Sequence, residues 1–312
     1  MLYKGLKVAV VVPAFREANH IARVIESMPA AVDLVFVVDD SSPDDTYAVA
    51  VAASDARTHV TRHEVNLGVG GAIVTGHRLA LEHGADVSVV MAGDGQMDPD
   101  YLPALLDPIA DDGYGFAKAN RLYSSQSFAG MPAYRVFGNI VLTFLTKVSS
   151  GYWDMMDPQN GYTAISRTAL ERLPLDRLAE RYDFENDVLI WLNILNVRVI
   201  DVPIPAVYGD EVSSIRLHKV VPRLLATLFR GFWRRFWFKY VLWSFSPIAL
   251  LAFVGLPLLI LGVVTGVWAV AYSASGSGPI STGTWLLAVA PSLVGIQLLL
   301  QAFVLDIQSS PR

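Results

Sequence analysis

Val87–Asp100, VSVVMAGDGQMDPD, decides how the rest of the chain is read. An apolar run, Val87–Ala92, stops abruptly at a cluster of hard oxygen donors: Asp94, Gln96, Asp98 and Asp100. A buried parallel strand reads this way when it carries acidic groups to the carboxyl edge of a sheet, where open α/β folds bind ligands. Hard oxygens at this spacing suit Mg²⁺ or Mn²⁺, with diphosphate oxygens completing an octahedron. An Asp-rich turn that only caps the following helix has the same letters. The stretch alone leaves both readings open.

Upstream of it, Leu6–Val12 (LKVAVVV) reads as a first buried strand, and Asn19–Met28 has helical spacing with Asn19 as the cap. Val32–Val38 is a second strand, ending in Asp39-Asp40-Ser41-Ser42, and Asp44–Ser54 resumes as helix. Val60–His63 is a short third strand, after which Asn66-Leu67-Gly68-Val69-Gly70-Gly71-Ala72 leads into a helix through Glu82. Downstream, helices are expected over Tyr101–Ile109, Tyr134–Val148, Thr168–Leu173 and Asn186–Asn193, with strands at Gly115–Asn120, Ala164–Ser166 and Arg198–Val202. Strands alternating with helices predict an α/β domain with a mostly parallel, doubly wound sheet.

The composition of the 312 residues adds a second element: 53% are hydrophobic and the mean hydropathy is +0.41, too apolar for an ordinary soluble enzyme. The excess lies after Ser246, in Ile248–Tyr272 and Trp285–Leu305, each long enough for a hydrocarbon core that needs about 20 residues. An uncharged turn, SASGSGPISTG, joins them, whereas Arg230, Arg234, Arg235 and Lys239 precede the first span. The positive-inside rule then puts the N-terminal domain and the Asp306–Arg312 tail in the cytoplasm, on the cell membrane. No signal peptide opens the chain, since Lys4, Gly5 and Lys7 lead straight into a strand.

Within Arg216–Tyr240, Lys219, Arg223, Arg230 and Arg234 share one arc of a helix, with Val221, Leu224, Leu225, Leu228, Phe232 and Phe236 on the other side. That pattern suits a helix in the membrane interface, with Trp233, Trp237 and Tyr240 at headgroup level; an ordinary helix packed on the domain is the alternative. The expected organisation is a catalytic domain over 1–212, interface helices over 213–245 and a two-span segment over 246–312. The absence of cysteine removes zinc-thiolate and thiol-nucleophile chemistry, and a net charge of -5 argues against nucleic acid as a partner. His63, His77 and His83 have no ligand spacing and read as structural. No Gly-x-Ser-x-Gly or Walker-type loop occurs. Gly68-Val69-Gly70-Gly71-Ala72 mimics a dinucleotide fingerprint but follows a later strand and has Ile73 at the third glycine position, although its N–H groups could still meet an anion.

Four stretches taken together carry a resemblance: VVPAFREA after strand one, VVDDSSPDDT after strand two, NLGVGGA opening a helix, and GDGQMDPD at the acidic edge. As a set they resemble the family 2 glycosyltransferases of the GT-A fold, within them the polyprenyl-phosphate sugar transferases of the dolichol-phosphate mannose synthase type. The resemblance covers the whole N-terminal domain and extends to the interface helix and the spans. It implies a UDP- or GDP-linked sugar donor, a dolichyl or undecaprenyl phosphate acceptor, and Mg²⁺ or Mn²⁺ held by Asp94 and Gln96. Pro13, Phe15, Glu17, Val38, Asp40, Gly93, Asp94 and Gln159 match nucleotide-sugar positions. Arg121 and Arg135 match positions that grip the acceptor phosphate, for which a guanidinium is well shaped, and Asn139 and Lys147 lie nearby in sequence as further candidates.

Asp157 and Gln159 match a segment lying over the donor sugar, and Phe184-Glu185-Asn186-Asp187 matches an acidic helix start near the acceptor. Glu185 is thus a catalytic candidate beside Asp94, Arg121 and Arg135. A lipid phosphate is already anionic, so Glu185 need only orient its neighbours, and Asp183 reads equally as a cap. There are two departures. Ala92 stands where the family's acidic triplet begins with Asp, and Tyr208–Ser214 carries Asp210 and Glu211 where some relatives are basic. Two other readings stay open: an enzyme extending a saccharide already on lipid, although the Gln-x-x-Arg-Trp motif of polymerising relatives is missing, and an inactive nucleotide-binding membrane scaffold. Pairing of the spans into a homo-oligomer is equally open.

Overall fold

The computed structural model describes residues 2–123, 133–205, 217–276 and 278–311, with the side chains of 133–135 and 217–220 outside the description. The chain divides into two units, one running to Phe232 and one over Trp233–Ser310. In the first, the strands are β1 (Val8–Ala14), β2 (Leu34–Asp39), β3 (Thr58–Arg62), β4 (Val87–Val90), β5 (Phe116–Asn120), β6 (Thr163–Ser166) and β7 (Val199–Pro203). The helices between them are α1 (Ile21–Glu26), α2 (Thr46–Ala52), α3 (Val69–Glu82), α4 (Leu102–Asp112), α5 (Ala133–Ser150), α6 (Arg167–Arg172) and α7 (Phe184–Ile194).

Among the described residues, the strands form one sheet in the order β3-β2-β1-β4-β6-β5-β7. Its pairs are parallel except that β6 runs against both β4 and β5. The expected mostly parallel α/β sheet is therefore present, with one reversed strand that the alternation of elements did not announce. The carboxyl ends of β1, β2, β4 and β5 share an edge, and the reversal makes β6 begin there too. Residues Phe15–Glu17, Asp40–Ser42, Gly93–Gln96, Arg121 and the turn before Thr163 all lie along it.

Alternating valines explain the central strands. Val8, Val10 and Val12 face a core shared with Ile21, Val24 and Ile25 of α1 and Leu102, Leu105 and Leu106 of α4. On the opposite face Ala9 packs with Phe36 and with Ala80 of α3. Both faces are thus covered, as a sheet of buried β-branched strands requires.

Helix α8 (Leu217–Arg235) shares its apolar arc between two settings. Leu224 and Leu228 are buried, and a Cβ on Gly231 would run into Ile190 of α7, so this edge packs on the catalytic unit. Val221, Leu225 and Phe229 are exposed along a second strip. The edge carrying Leu224 and Leu228 is thus that of a helix packed on its own unit. Arg223 pairs with Asp183 at 3.1 Å, and Thr227 Oγ1 donates to the same carboxylate at 2.8 Å. The Asp183 side chain makes no cap hydrogen bond to α7.

In the second unit a π-helical stretch, Phe236–Leu242, precedes α9 (Pro247–Ala274) and α10 (Thr282–Gln308). Their mean hydropathies of 2.7 and 1.9 make both long and apolar enough to cross a membrane. They pair closely: a Cβ on Gly295 would fall 2.6 Å from the Leu259 nitrogen. Small residues permit this approach, which is how helices gain contact where lipid is as apolar as leucine. Asp306, expected in a tail, lies inside α10, buried and bonded to Arg235 Nη1 at 2.6 Å and Nη2 at 3.0 Å, with Tyr240 donating to it as well.

Candidate active site

The acidic turn after β4 is built from Gly93 outward. Gly93 is buried against β1, its N–H donating to the Pro13 carbonyl at 3.2 Å. Gly95 takes φ +74°, a left-handed geometry that favours glycine, and the Gln96 N–H folds back to Asp94 Oδ1 at 3.0 Å. Asp94 Oδ2 has no protein donor among the described residues, and Gln96, two residues on, is exposed. Asp98 is a cap: it accepts from the Asp100 N–H at 2.9 Å at the head of the short helical turn Pro99–Tyr101. The capping reading of this stretch thus holds for Asp98.

No three His, Cys, Asp or Glu side chains converge as a cation cage among the described residues. Mg²⁺ ordinarily takes only one or two protein oxygens, the remainder coming from water and substrate phosphate. A carboxylate with an open oxygen on an exposed turn fits that habit. Ala92 is half-buried, and its N–H points at the Met97 sulfur at 3.1 Å.

Pro13 and Val38 are buried strand ends, Phe15 is 42% exposed with the Arg16 guanidinium over its ring at 5.3 Å, and Glu17 is half-buried with its N–H on Thr46 Oγ1 at 2.8 Å. Arg16 and Ser41 hold φ of 65° and 60° on this rim, and the Arg16 N–H donates to Ser42 Oγ at 3.0 Å. Non-glycine residues held in that region cluster where ligands are gripped.

Asp40, matched above to a nucleotide-sugar position, is held by protein groups. Its buried carboxylate accepts from the Leu67 N–H at 2.8 Å and the Gly68 N–H at 2.7 Å, and His63 Nδ1 lies at 2.8 Å. Three of the roughly four acceptor positions of a carboxylate are thereby taken. The Gly71 N–H reaches the Glu180 carbonyl at 3.1 Å, so the head of α3 is closed by protein acceptors. Its glycines serve that closure: Gly68 has φ +93°, and a Cβ there would meet the Glu180 carbonyl oxygen at 2.5 Å. Asp39 pairs with Arg62 at 3.1 Å.

Arg121, nearly half exposed, lies over Asp157, whose buried carboxylate accepts from its backbone N–H at 3.1 Å, Nε at 2.8 Å and Nη2 at 3.2 Å. Burial pushes the Asp157 carboxyl up, but the Arg121 hydrogen bonds and the Lys118 charge outweigh it and leave the group below the usual carboxylate range. Asp157 thus faces Arg121 rather than open space. Gln159 is half-buried and donates to Asn186 at 3.1 Å. Asn139 lies half-buried on α5; Arg135 belongs to the first turn of that helix, with its side chain outside the described residues. Tyr208–Ser214 and Arg216 lie outside the described residues, as do the side chains of His218 and Lys219.

Glu185 opens α7 beside Gly161, and burial raises its carboxyl above the ordinary range, with Lys118 partly offsetting the shift. It lines a small cavity with Lys118, His77, Ile73 and Val188. Lys118 has no place in the sequence reading above, although a lysine amid the apolar strand FAKAN was a visible signal.

The profile of glycosyl transferase family 2 matches residues 9–173, over half of the sequence. The chain belongs to glycosyl transferase family 2. This glycosyltransferase is 30% identical over 215 residues to the UDP-N-acetylglucosamine–dolichyl-phosphate N-acetylglucosaminyltransferase of Methanococcus voltae, covering 64% of this chain and 85% of the relative. It is 30% identical over 206 residues to the undecaprenyl-phosphate mannosyltransferase of Micrococcus luteus, covering 64% and 83%. Among solved structures it is similar to glucosyl-3-phosphoglycerate synthase of Mycobacterium tuberculosis, solved with Mn²⁺, UDP and glucosyl-3-phosphoglycerate. There the TM-score is 0.57 and the identity 23%, over 73% of this chain and 80% of that one. At that identity the likeness speaks for the GT-A fold alone.

Proposed function

We propose that this glycosyltransferase moves one sugar from a UDP- or GDP-linked donor to a polyprenyl phosphate at the cytoplasmic face of a membrane, with inversion. The observation that carries the reading is the placement of Asp94 and Arg121 just beyond two parallel strands, on one edge of the sheet. Relatives covered over most of their length are named for dolichyl and undecaprenyl phosphate acceptors, which supports the lipid side.

Pro13, Phe15, Glu17 and Val38 border the nucleotide, with Asp40 fixing the 66–68 turn behind them. Asp94 and Gln96 would hold Mg²⁺ or Mn²⁺, as glucosyl-3-phosphoglycerate synthase was solved with Mn²⁺ and UDP. Bound there, the cation supplies charge neutralisation for the departing diphosphate. Arg121, Arg135 and Asn139 orient the acceptor phosphate. One of its oxygens forms the new bond to the anomeric carbon from the side opposite the diphosphate, which leaves with the electron pair of the broken C–O bond. The phosphate is already anionic, so Glu185 orients its neighbours and no strong base is required.

Access to a lipid headgroup is supported by two apolar strips: Phe137, Ile140, Val141 and Phe144 on α5, and Val221, Leu225 and Phe229 on α8, all exposed. Helices of this kind rest in the membrane interface. The cationic run before α9 and the uncharged turn after it support the cytoplasmic orientation. The test is a panel of labelled nucleotide sugars with purified protein, a short polyprenyl phosphate and Mn²⁺. A chloroform-soluble product bearing a single sugar, abolished by a chelator, is expected. Repeated sugar addition, or donor binding without turnover across the panel, overturns the proposal.

A further inference from the structure

Lys118 lies fully buried in the middle of β5, opposite Thr163 of β6 and Asp201 of β7. Its ammonium donates to the Asp157 carbonyl at 2.6 Å and to the Asn160 carbonyl. Carboxylates face it from three sides, Asp157 on the turn before β6, Asp201 on β7 and Glu185 on α7, while Arg121 opposes it. His77 of α3 lines the same cavity and is kept neutral by its own burial.

Two carbonyls could be satisfied by a neutral amide at far lower desolvation cost than a buried ammonium. The charge is the part that needs a reason, and Asp157 supplies one. That carboxylate is buried, stays ionised because cations flank it, and spends its oxygens on three donors of Arg121. Without the lysine charge a buried Asp157 anion loses support from below, and its hold on the guanidinium weakens.

We propose that Lys118 is a positioning residue for the acceptor: acting through Asp157, it fixes the Arg121 guanidinium in the orientation that receives the lipid phosphate. The inference rests on the reading of Arg121 given under the proposed function. It also couples the turn at Asp157–Gly161 to the acceptor side, since the two carbonyls held by Lys118 belong to that turn.

The test is steady-state kinetics in lipid nanodiscs for Lys118→Gln, Arg121→Gln and the double variant, each substrate varied in turn. Lys118→Gln is expected to raise the acceptor KM about tenfold while the donor KM stays within about twofold, the scale of one charge-assisted hydrogen bond. The double variant should be no worse than Arg121→Gln alone, because the two residues act as a unit. Burial places the ammonium below the ordinary lysine range, so acceptor kcat/KM of the wild type should fall along a one-proton alkaline limb that Lys118→Gln removes. An unchanged acceptor KM in Lys118→Gln, equal rises in both KM values, or losses that multiply in the double variant overturn the coupling. If Lys118→Gln does not fold, a wild-type profile flat up to about pH 10, where an ordinary lysine titrates, overturns it as well. A wild-type acceptor KM in Arg121→Gln refutes instead the reading of Arg121 itself.

Discussion

Replacing Asp40 with Asn separates a structural duty from a nucleotide contact. Oδ1 accepts from the Leu67 N–H and faces His63, while Oδ2 accepts from the Gly68 N–H. An asparagine offers one acceptor oxygen and one NH₂ group, so whichever way it sits a donor meets a donor. At least one charge-assisted hydrogen bond is lost and a buried backbone N–H at the head of α3 is left unpaired, a cost of about 3 kcal/mol. For a unit of this size, each kcal/mol moves the midpoint by about 2–4 °C, so the melt should fall by about 6–12 °C. The assay is intrinsic-fluorescence melting in detergent, with and without saturating nucleotide, paired with donor KM. A melt within a degree or two of wild type together with a raised donor KM refutes the argument, because Asp40 would then face the nucleotide and not the turn.

Asp94→Asn should abolish turnover and leave the melt unchanged, since its carboxylate accepts a single local N–H from Gln96; sugar transfer and melting on the same preparation check this. Burial pushes the His77 imidazole down to about 4, so its neutral form is the one the fold holds. The stability it contributes is present above the unfolded value of about 6.5 and fades as pH falls toward 4. Melts from pH 7 down to 4 should therefore decline less steeply in His77→Gln. Arg235→Met should cost about 3–5 kcal/mol by stranding Asp306, whereas Arg235→Met with Asp306→Leu should recover most of it, as read from melts in one detergent.

The parts of the fold visible in the sequence were those whose physics is local. Continuous apolar runs marked β1, β2 and β4, and charge-free runs marked α9 and α10. The four residues of β6 carried no sign of direction, because that is set by where the preceding excursion returns. Carboxylate roles were the least legible. Asp39, Asp40 and Asp183 sit where caps are common, and Asp39 does accept from the nearby Ser42 N–H at 3.2 Å, yet Arg62, the 66–68 turn, and Arg223 with Thr227 are partners distant in sequence. Asn19 does not head α1, which starts at Ile21. Asp306 looked like tail because its partner, Arg235, precedes both spans. Of the candidate site, the placement of the acidic turn and of Arg121 at strand ends was legible, whereas a lysine amid the apolar strand FAKAN stands out in the sequence without showing which carbonyls it pairs with.

The reversed strand has a bearing on how such an enzyme can diversify. The chain leaves the sheet at Arg121, travels through α5, and comes back to the same rim before entering β6 at Thr163. Departure and return are neighbours, so this excursion behaves like a cassette plugged into a fixed socket. Its length and contents can change while strand pairing stays intact, which leaves the stretch between β5 and β6 free to be retailored without redrawing the β1, β2 and β4 ends of the same rim.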